Sequence, residues 1–176
     1  MGYDFEDVKK LREKTSCGVM ECKKALEESK GNFTRAEEIL RKRGLEMAVK
    51  KSDRVANQGR VEAYVHLGAK IGVLLEVNCE TDFAAGSEDF SRFCKDVAMH
   101  IAASAPKYLK RDQVPGDVLN KEADPEVFIK ASCLLDQLFI KDQSLSIQDC
   151  LNSLVAKIGE NIFINRFIRY KIGEAE

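Results

Sequence analysis

The sequence has no two cysteines separated by two residues, no glycine-rich elbow, no apolar stretch near the ~20 residues that span a bilayer, and almost no net charge. Each absence removes a class of function. The six cysteines, Cys17, Cys22, Cys79, Cys94, Cys133 and Cys150, sit mostly within apolar patterns and form no two-residue-spaced pair, which argues against a zinc site or a disulfide scaffold and for reduced core thiols. Without an elbow to form an oxyanion site, a thiol hydrolase built on Cys79 and His100 has little support. A formal charge of −1 and a pI near 6.2 lack the basic stripe that a phosphate backbone requires, so direct nucleic-acid binding is not expected. Met1-Gly2-Tyr3-Asp4 is too acidic for a signal peptide. A cytoplasmic location of bacterial type, or an organellar matrix, is the expectation.

What is present is unevenly shared charge. Residues 1–60 hold 15 Lys and Arg against 11 Asp and Glu, while the remainder holds 13 against 18. A basic N-terminal third beside an acidic remainder suggests oriented docking on an acidic protein surface. With 176 residues, 44% of them hydrophobic, the chain is long enough for a buried core and for one or two globular domains.

Helical spacing marks three short N-terminal segments. Phe5, Val8 and Leu11 share one face behind Asp4 as N-cap; Ser16-Cys17-Gly18 forms a turn; Met20, Cys22 and Leu26 follow; Lys30-Gly31-Asn32 ends the second helix. Phe33, Ala36, Ile39 and Leu40 mark the third, which Gly44 is expected to close. Residues 1–44 therefore read as a three-helix bundle, 45–58 as a solvated helical linker permitting independent motion, and 59–176 as an α+β domain. In the last of these, Arg60–His66 alternates as a half-buried strand and Leu67-Gly68-Ala69-Lys70 turns it into the apolar strand Ile71–Val77. Helical patterns follow at Phe90–Ser104, weakly at Pro115–Leu135 with a break at Asp124-Pro125, and at Ser146–Ile158 between a Ser cap and Gly159. Ile162–Ile172 alternates again, with its phase slipping near Phe167-Ile168, and predicts a last antiparallel strand carrying a bulge.

The abrupt change from strand to helix falls at Asn78-Cys79-Glu80-Thr81-Asp82-Phe83. On spacing alone this is a capped turn, with Asp82 or Ser87 as N-cap and Phe83 as a core anchor; it also fits a ring and a charge presented at a sheet edge. The hexapeptide resembles the Thr-Asp-Phe signature of the elongation factor Ts family. Leu11-Arg12-Glu13-Lys14-Thr15-Ser16-Cys17-Gly18-Val19-Met20 with Glu21-Cys22-Lys23-Lys24-Ala25-Leu26 is similar to that family's N-terminal signature, and Lys157-Ile158-Gly159-Glu160-Asn161-Ile162 to its C-terminal one.

The resemblance implies a ubiquitin-associated-like bundle and a dimerisation-type α+β domain. It also implies a non-enzymatic guanine-nucleotide exchange factor for elongation factor Tu in protein biosynthesis, with no catalytic residue, metal or cofactor of its own. Thr81, Asp82, Phe83 and Ala84 are then the partner-binding tip that displaces Mg²⁺, and Arg12, Met20, Lys23 and His100 the docking residues. Ala84 and Gly86 stand where the family usually has a larger apolar residue and a basic or amide one, and the region between Glu126 and Leu135 is short. Because only one such sheet unit is present, and short members pair to rebuild two, a homodimer is expected. A rival reading keeps the bundle as a ubiquitin-associated-like adaptor and the α+β domain as an oligomeriser, which would make the Thr-Asp-Phe tip dispensable.

Overall fold

The computed structural model describes residues 3–15 and 17–174; Ser16, in the expected turn, lies outside them. Helix α1 (Phe5–Thr15) begins with a reciprocal cap in which Asp7 N–H donates to Asp4 Oδ1 at 2.9 Å and Asp4 N–H to Asp7 Oδ2 at 3.0 Å. Helix α2 (Val19–Glu28) ends where Gly31, at φ +84°, lets its N–H return to Leu26 O. Helix α3 (Phe33–Lys51) starts at an Asn32 cap that accepts from Arg35 N–H. Val8, Leu11, Cys22, Ala25, Leu26, Ala36 and Leu40 close a small core among the three. Phe5, expected inside it, points to solvent.

Helix α3 does not stop at Gly44. It runs from Phe33 to Lys51, and its second half packs along a later helix, α8 (Ile147–Ile158). Gly44 is buried where the two cross, and a Cβ there would already touch Asn152 O at 3.5 Å. Glycine in a helix interior costs about 1 kcal/mol relative to alanine; close approach to α8 offsets that here. Half of the segment read as a solvated helical linker, residues 45–51, is thus the end of α3 fastened to the rest of the fold, with Lys51 Nζ donating to Gly159 O.

Strands β1 (Gln58–Val65) and β2 (Ile71–Cys79) form the expected hairpin, and β5 (Phe163–Lys171) pairs antiparallel with the other edge of β2, giving the order β1-β2-β5. The register shifts between Glu76 and Val77, which face Arg166 and Ile164. The bulge therefore sits at Asn165, two residues before the expected slip. Alternation sends Val73, Leu75, Val77 and Ile164 inward, where α5 (Glu88–Ser104) supplies Phe90, Cys94, Val97 and Ile101, and α8 supplies Leu151, Leu154 and Val155. This is the main core of an α+β fold, with the helices on one face of the sheet.

Between β2 and α5 lies the short helix α4 (Asp82–Gly86). The weak helical stretch after α5 appears as α6 (Gly116–Leu119) and α7 (Pro125–Ser132), the latter capped by Asp124 with Pro125 at its first position. A two-stranded ribbon, β3 (Leu138–Phe139) and β4 (Asp142–Ser146), leads into α8, whose start is a capping box of Ser146 and Asp149 and whose end is Gly159 at φ +83°.

Candidate partner-binding site

Helix α4 projects from the end of β2 as a single five-residue turn. Thr81, not Asp82, is its N-cap: Thr81 Oγ1 accepts from Ala84 N–H at 3.2 Å. Ser87 caps the next helix by accepting from Phe90 N–H, while its own hydroxyl donates to Ala84 O at 2.8 Å. Asp82, relieved of capping, is exposed, and the ring of Phe83 is 88% exposed. Phe83 is therefore no core anchor. Ala84 is buried and forms the foot of the turn beneath Asp82 and Phe83.

The base of the tip is held by residues from the far end of the chain. Glu160 Oε2 accepts from Glu80 N–H and Thr81 N–H, both at 3.0 Å, and Glu160 Oε1 accepts from the Thr81 hydroxyl at 2.6 Å. In return Glu80 Oε1 accepts from Asn161 N–H at 2.6 Å and lies 3.5 Å from the Arg54 guanidinium. Asn161 Nδ2 donates to Arg54 O at 2.7 Å and to Ser52 O at 3.3 Å, just past the end of α3. Two of the three sequence blocks thus meet in space. Glu160 and Asn161 carried no assigned role in the sequence because their partners are about 80 residues away; their place in the Lys157–Ile162 block was the only signal.

On the bundle, Arg12 and Lys23 are exposed, and Met20, which helical spacing alone would put in the core, is 61% exposed. Lys23 lies 4.0 Å from Glu27, a loose surface pair. Phe5 and Val19 add further exposed apolar surface to the bundle.

His100 differs from the other expected docking residues. It is 0% exposed on the inner side of α5. Its Nε2 lies 2.9 Å from Gln137 Oε1, and its Nδ1 accepts from Ile140 N–H at 3.4 Å, so Nε2 carries the proton. Burial holds its pKa below the ordinary value, against the opposing effect of the hydrogen bond that Nε2–H donates to Gln137 Oε1. A ring satisfied on both nitrogens inside the fold is a structural tie between α5 and the segment before β4, away from the exposed surface where Arg12, Met20 and Lys23 lie.

Cys79 is buried, donates its Sγ–H to Thr81 O at 3.1 Å, and has its pKa pushed up, chiefly by burial. Cys79 and His100 are each committed to other partners, which leaves the thiol-hydrolase reading without a nucleophile–base pair between these two residues. Among the described residues, no group of three or more His, Cys, Asp or Glu is placed to hold a metal ion, and no helix is long and apolar enough to cross a membrane.

The family profile described as Elongation factor TS matches residues 6–127. Elongation factor Ts of Anaeromyxobacter sp. (strain Fw109-5) is 48% identical over 190 aligned positions, covering 95% of this chain and 87% of the relative. That of Acetivibrio thermocellus is 49% identical over 192 positions, covering 96% and 89%. That of Thermoanaerobacter sp. (strain X514) is 46% identical over 190, covering 95% and 93%.

Proposed function

Because this chain belongs to the elongation factor Ts family, and so to the factors of translation elongation, we propose that it is the guanine-nucleotide exchange factor of elongation factor Tu. It is not an enzyme in this reading. It binds the partner's nucleotide-free state more tightly than its GDP-bound state, and by reciprocity weakens GDP binding by the same factor. GTP then binds the emptied site. The observation that carries the reading is Phe83, 88% exposed on a pinned turn beside an exposed, uncapped Asp82.

A ten-thousandfold weakening of nucleotide needs about 5.5 kcal/mol of differential binding. Burying the Phe83 ring in a crevice of the partner contributes roughly 1.5–3 kcal/mol. Hydrogen bonds accepted by the Asp82 carboxylate add about 1.5–3 kcal/mol when made to desolvated donors. Together these approach the requirement. Moving a switch element of the partner away from its Mg²⁺ supplies the rest, since that ion is among the largest charges at a nucleotide site. The bundle, which we take to be ubiquitin-associated-like, docks on the nucleotide domain through Arg12, Met20 and Lys23.

Stopped-flow release of a fluorescent GDP from elongation factor Tu tests the wedge. A Phe83→Ala protein is expected to stay folded and lose most of its exchange activity; a folded variant with the parent rate sinks the reading. The same measurement excludes or restores the adaptor alternative, in which Phe83 has no part.

The outer face of the sheet supports the homodimer. Val61, Val65, Leu74, Ile168 and Tyr170 all point away from the helices, and Val65 and Tyr170 remain 66% and 58% exposed. Contiguous apolar surface of this kind marks an interaction site. We assign it to a second copy, the two sheets stacking face to face as in a sandwich. Light scattering at micromolar concentration should show a dimer that V65K with Y170K converts to a monomer; a parent protein already monomeric there refutes the assignment. The proposed setting is the cytoplasm, or an organellar matrix.

A further inference from the structure

The exposed tip has little apolar support of its own. Ala84 is the only buried residue of α4, so hydrogen bonds rather than packing must fix the direction of the Phe83 ring. Glu160 supplies them. It follows Gly159, whose positive φ turns the chain out of α8 and toward the end of β2. Its carboxylate takes three donors, the N–H groups of Glu80 and Thr81 and the Thr81 hydroxyl. A hydroxyl has one proton and spare lone pairs. Giving the proton to Glu160 leaves a lone pair of Thr81 Oγ1 aimed at Ala84 N–H, the bond that caps α4.

The direction of the cap is thus set by Glu160, and the cap sets the turn that carries Phe83. Asn161 fastens the same junction to the end of α3 through Ser52 O and Arg54 O, so the knot also refers the tip to the helix that runs from the bundle.

We propose that Glu160 is a positioning residue for nucleotide exchange, acting through Thr81 to hold Phe83 in the orientation that enters the partner. This rests on the reading of Phe83 as the wedge. Glu160 belongs to no buried core cluster; Phe90, Leu75 and Ile101 hold the domain together without it. Replacing its carboxylate by an amide leaves one acceptor oxygen for three donors: with that oxygen on the two N–H groups, an NH₂ faces the Thr81 hydroxyl, whose proton loses its acceptor and no longer fixes the direction of the cap, while those core contacts stay intact.

The test uses the full-length chain with Glu160→Gln and elongation factor Tu loaded with fluorescent GDP. Misplacement of a working group by about 1 Å is enough to lower a rate a hundredfold. We expect the maximal rate of GDP release to fall at least tenfold, the half-saturating concentration of factor to change by less than about threefold, and amide exchange at Thr81 and Ala84 to quicken at least tenfold. In a Phe83→Ala background, adding Glu160→Gln should change the rate no further. Should Glu160→Gln fold poorly, Thr81→Val removes the hydroxyl relay alone and should show the same split. Release within twofold of the parent by the Glu160→Gln protein, or an effect that adds in full to that of Phe83→Ala, overturns the positioning role. If Phe83→Ala itself exchanges like the parent, the wedge reading falls instead.

Discussion

Acidification singles out one residue. His100 is neutral in the folded protein: Nδ1 accepts from Ile140 N–H, Nε2 donates to Gln137 Oε1, and the ring lies beside Phe139 at a centroid distance of 6.2 Å. The nearest ion pair on the same helix, Lys141 with Asp96 at 2.6 Å, is satisfied without it. Protonating Nδ1 would turn the acceptor of Ile140 N–H into a second donor, inside a site that also penalises charge by burial. The folded pKa is therefore lowered, whereas in the unfolded chain it is near 6.5. The unfolded state binds the extra proton first. Its stabilising contribution is full well above pH 6.5, declines as pH falls through that value, and levels off only below the folded pKa.

One proton limits the slope to about 1.4 kcal/mol per pH unit. The carboxylates with lowered pKa, Glu76, Asp142 and Glu174, act on a separate window. Their contributions are present above the ordinary carboxylate range and are lost only below about pH 4.5. Urea unfolding at pH 8, 7, 6 and 5 should show stability falling mainly below pH 7 in the parent. The His100→Gln protein should be less stable at pH 8 and nearly flat from pH 8 to 5. Parallel curves for the two proteins would refute the argument, and a weakened association with elongation factor Tu at unchanged stability would return His100 to the docking surface.

Removing charge from the bundle with Arg12→Ala and Lys23→Ala together should lower the association rate with elongation factor Tu at low salt and leave dissociation nearly unchanged; stopped-flow mixing across ionic strength checks this. Gly59 holds φ +152° with an added Cβ only 2.2 Å from Val77 O, so Gly59→Ala should cost about 3 kcal/mol or more and disorder the β1–β2 pairing, read by urea midpoint and amide exchange. Burial pushes the Cys94 thiol up to about 12 and that of Cys150 to about 11. Unfolded thiols ionise from about pH 8.5, so stability should fall as pH rises past that value, by up to about 1.4 kcal/mol per unit for each thiol, and Cys94→Ala should flatten part of the decline.

The elements were legible wherever local chemistry decides them. Period-two alternation marked β1 and β5, a short run of branched apolar residues marked β2, and the Ser146 cap with Gly159 framed α8. The errors arose where distant segments decide. Gly44 looks like a terminator in its own sequence, but the surface of α8 makes it a contact instead. Phe5 fits the apolar face of α1, yet the bundle closes without it. Asp82 is as good a cap by residue type as Thr81; Glu160 orients the Thr81 hydroxyl, and that bond spans 79 residues. The tip was legible through its likeness to a known signature rather than its pattern, since spacing alone favoured a buried Phe83.

Helix α3 has a mechanical consequence. Its 19 residues form a rod of about 28 Å at 1.5 Å per residue, seated at one end among the bundle helices and gripped at the other beside Glu160 and Asn161. A rod clamped along α8 does not swing. It keeps the spacing and angle between basic bundle and aromatic tip as a gauge does, so in the proposed exchange reading the factor meets its target with both contacts already set to one separation. Lengthening the rod by a single residue would rotate one end by about 100° against the other, and the two grips could no longer close on the same body together.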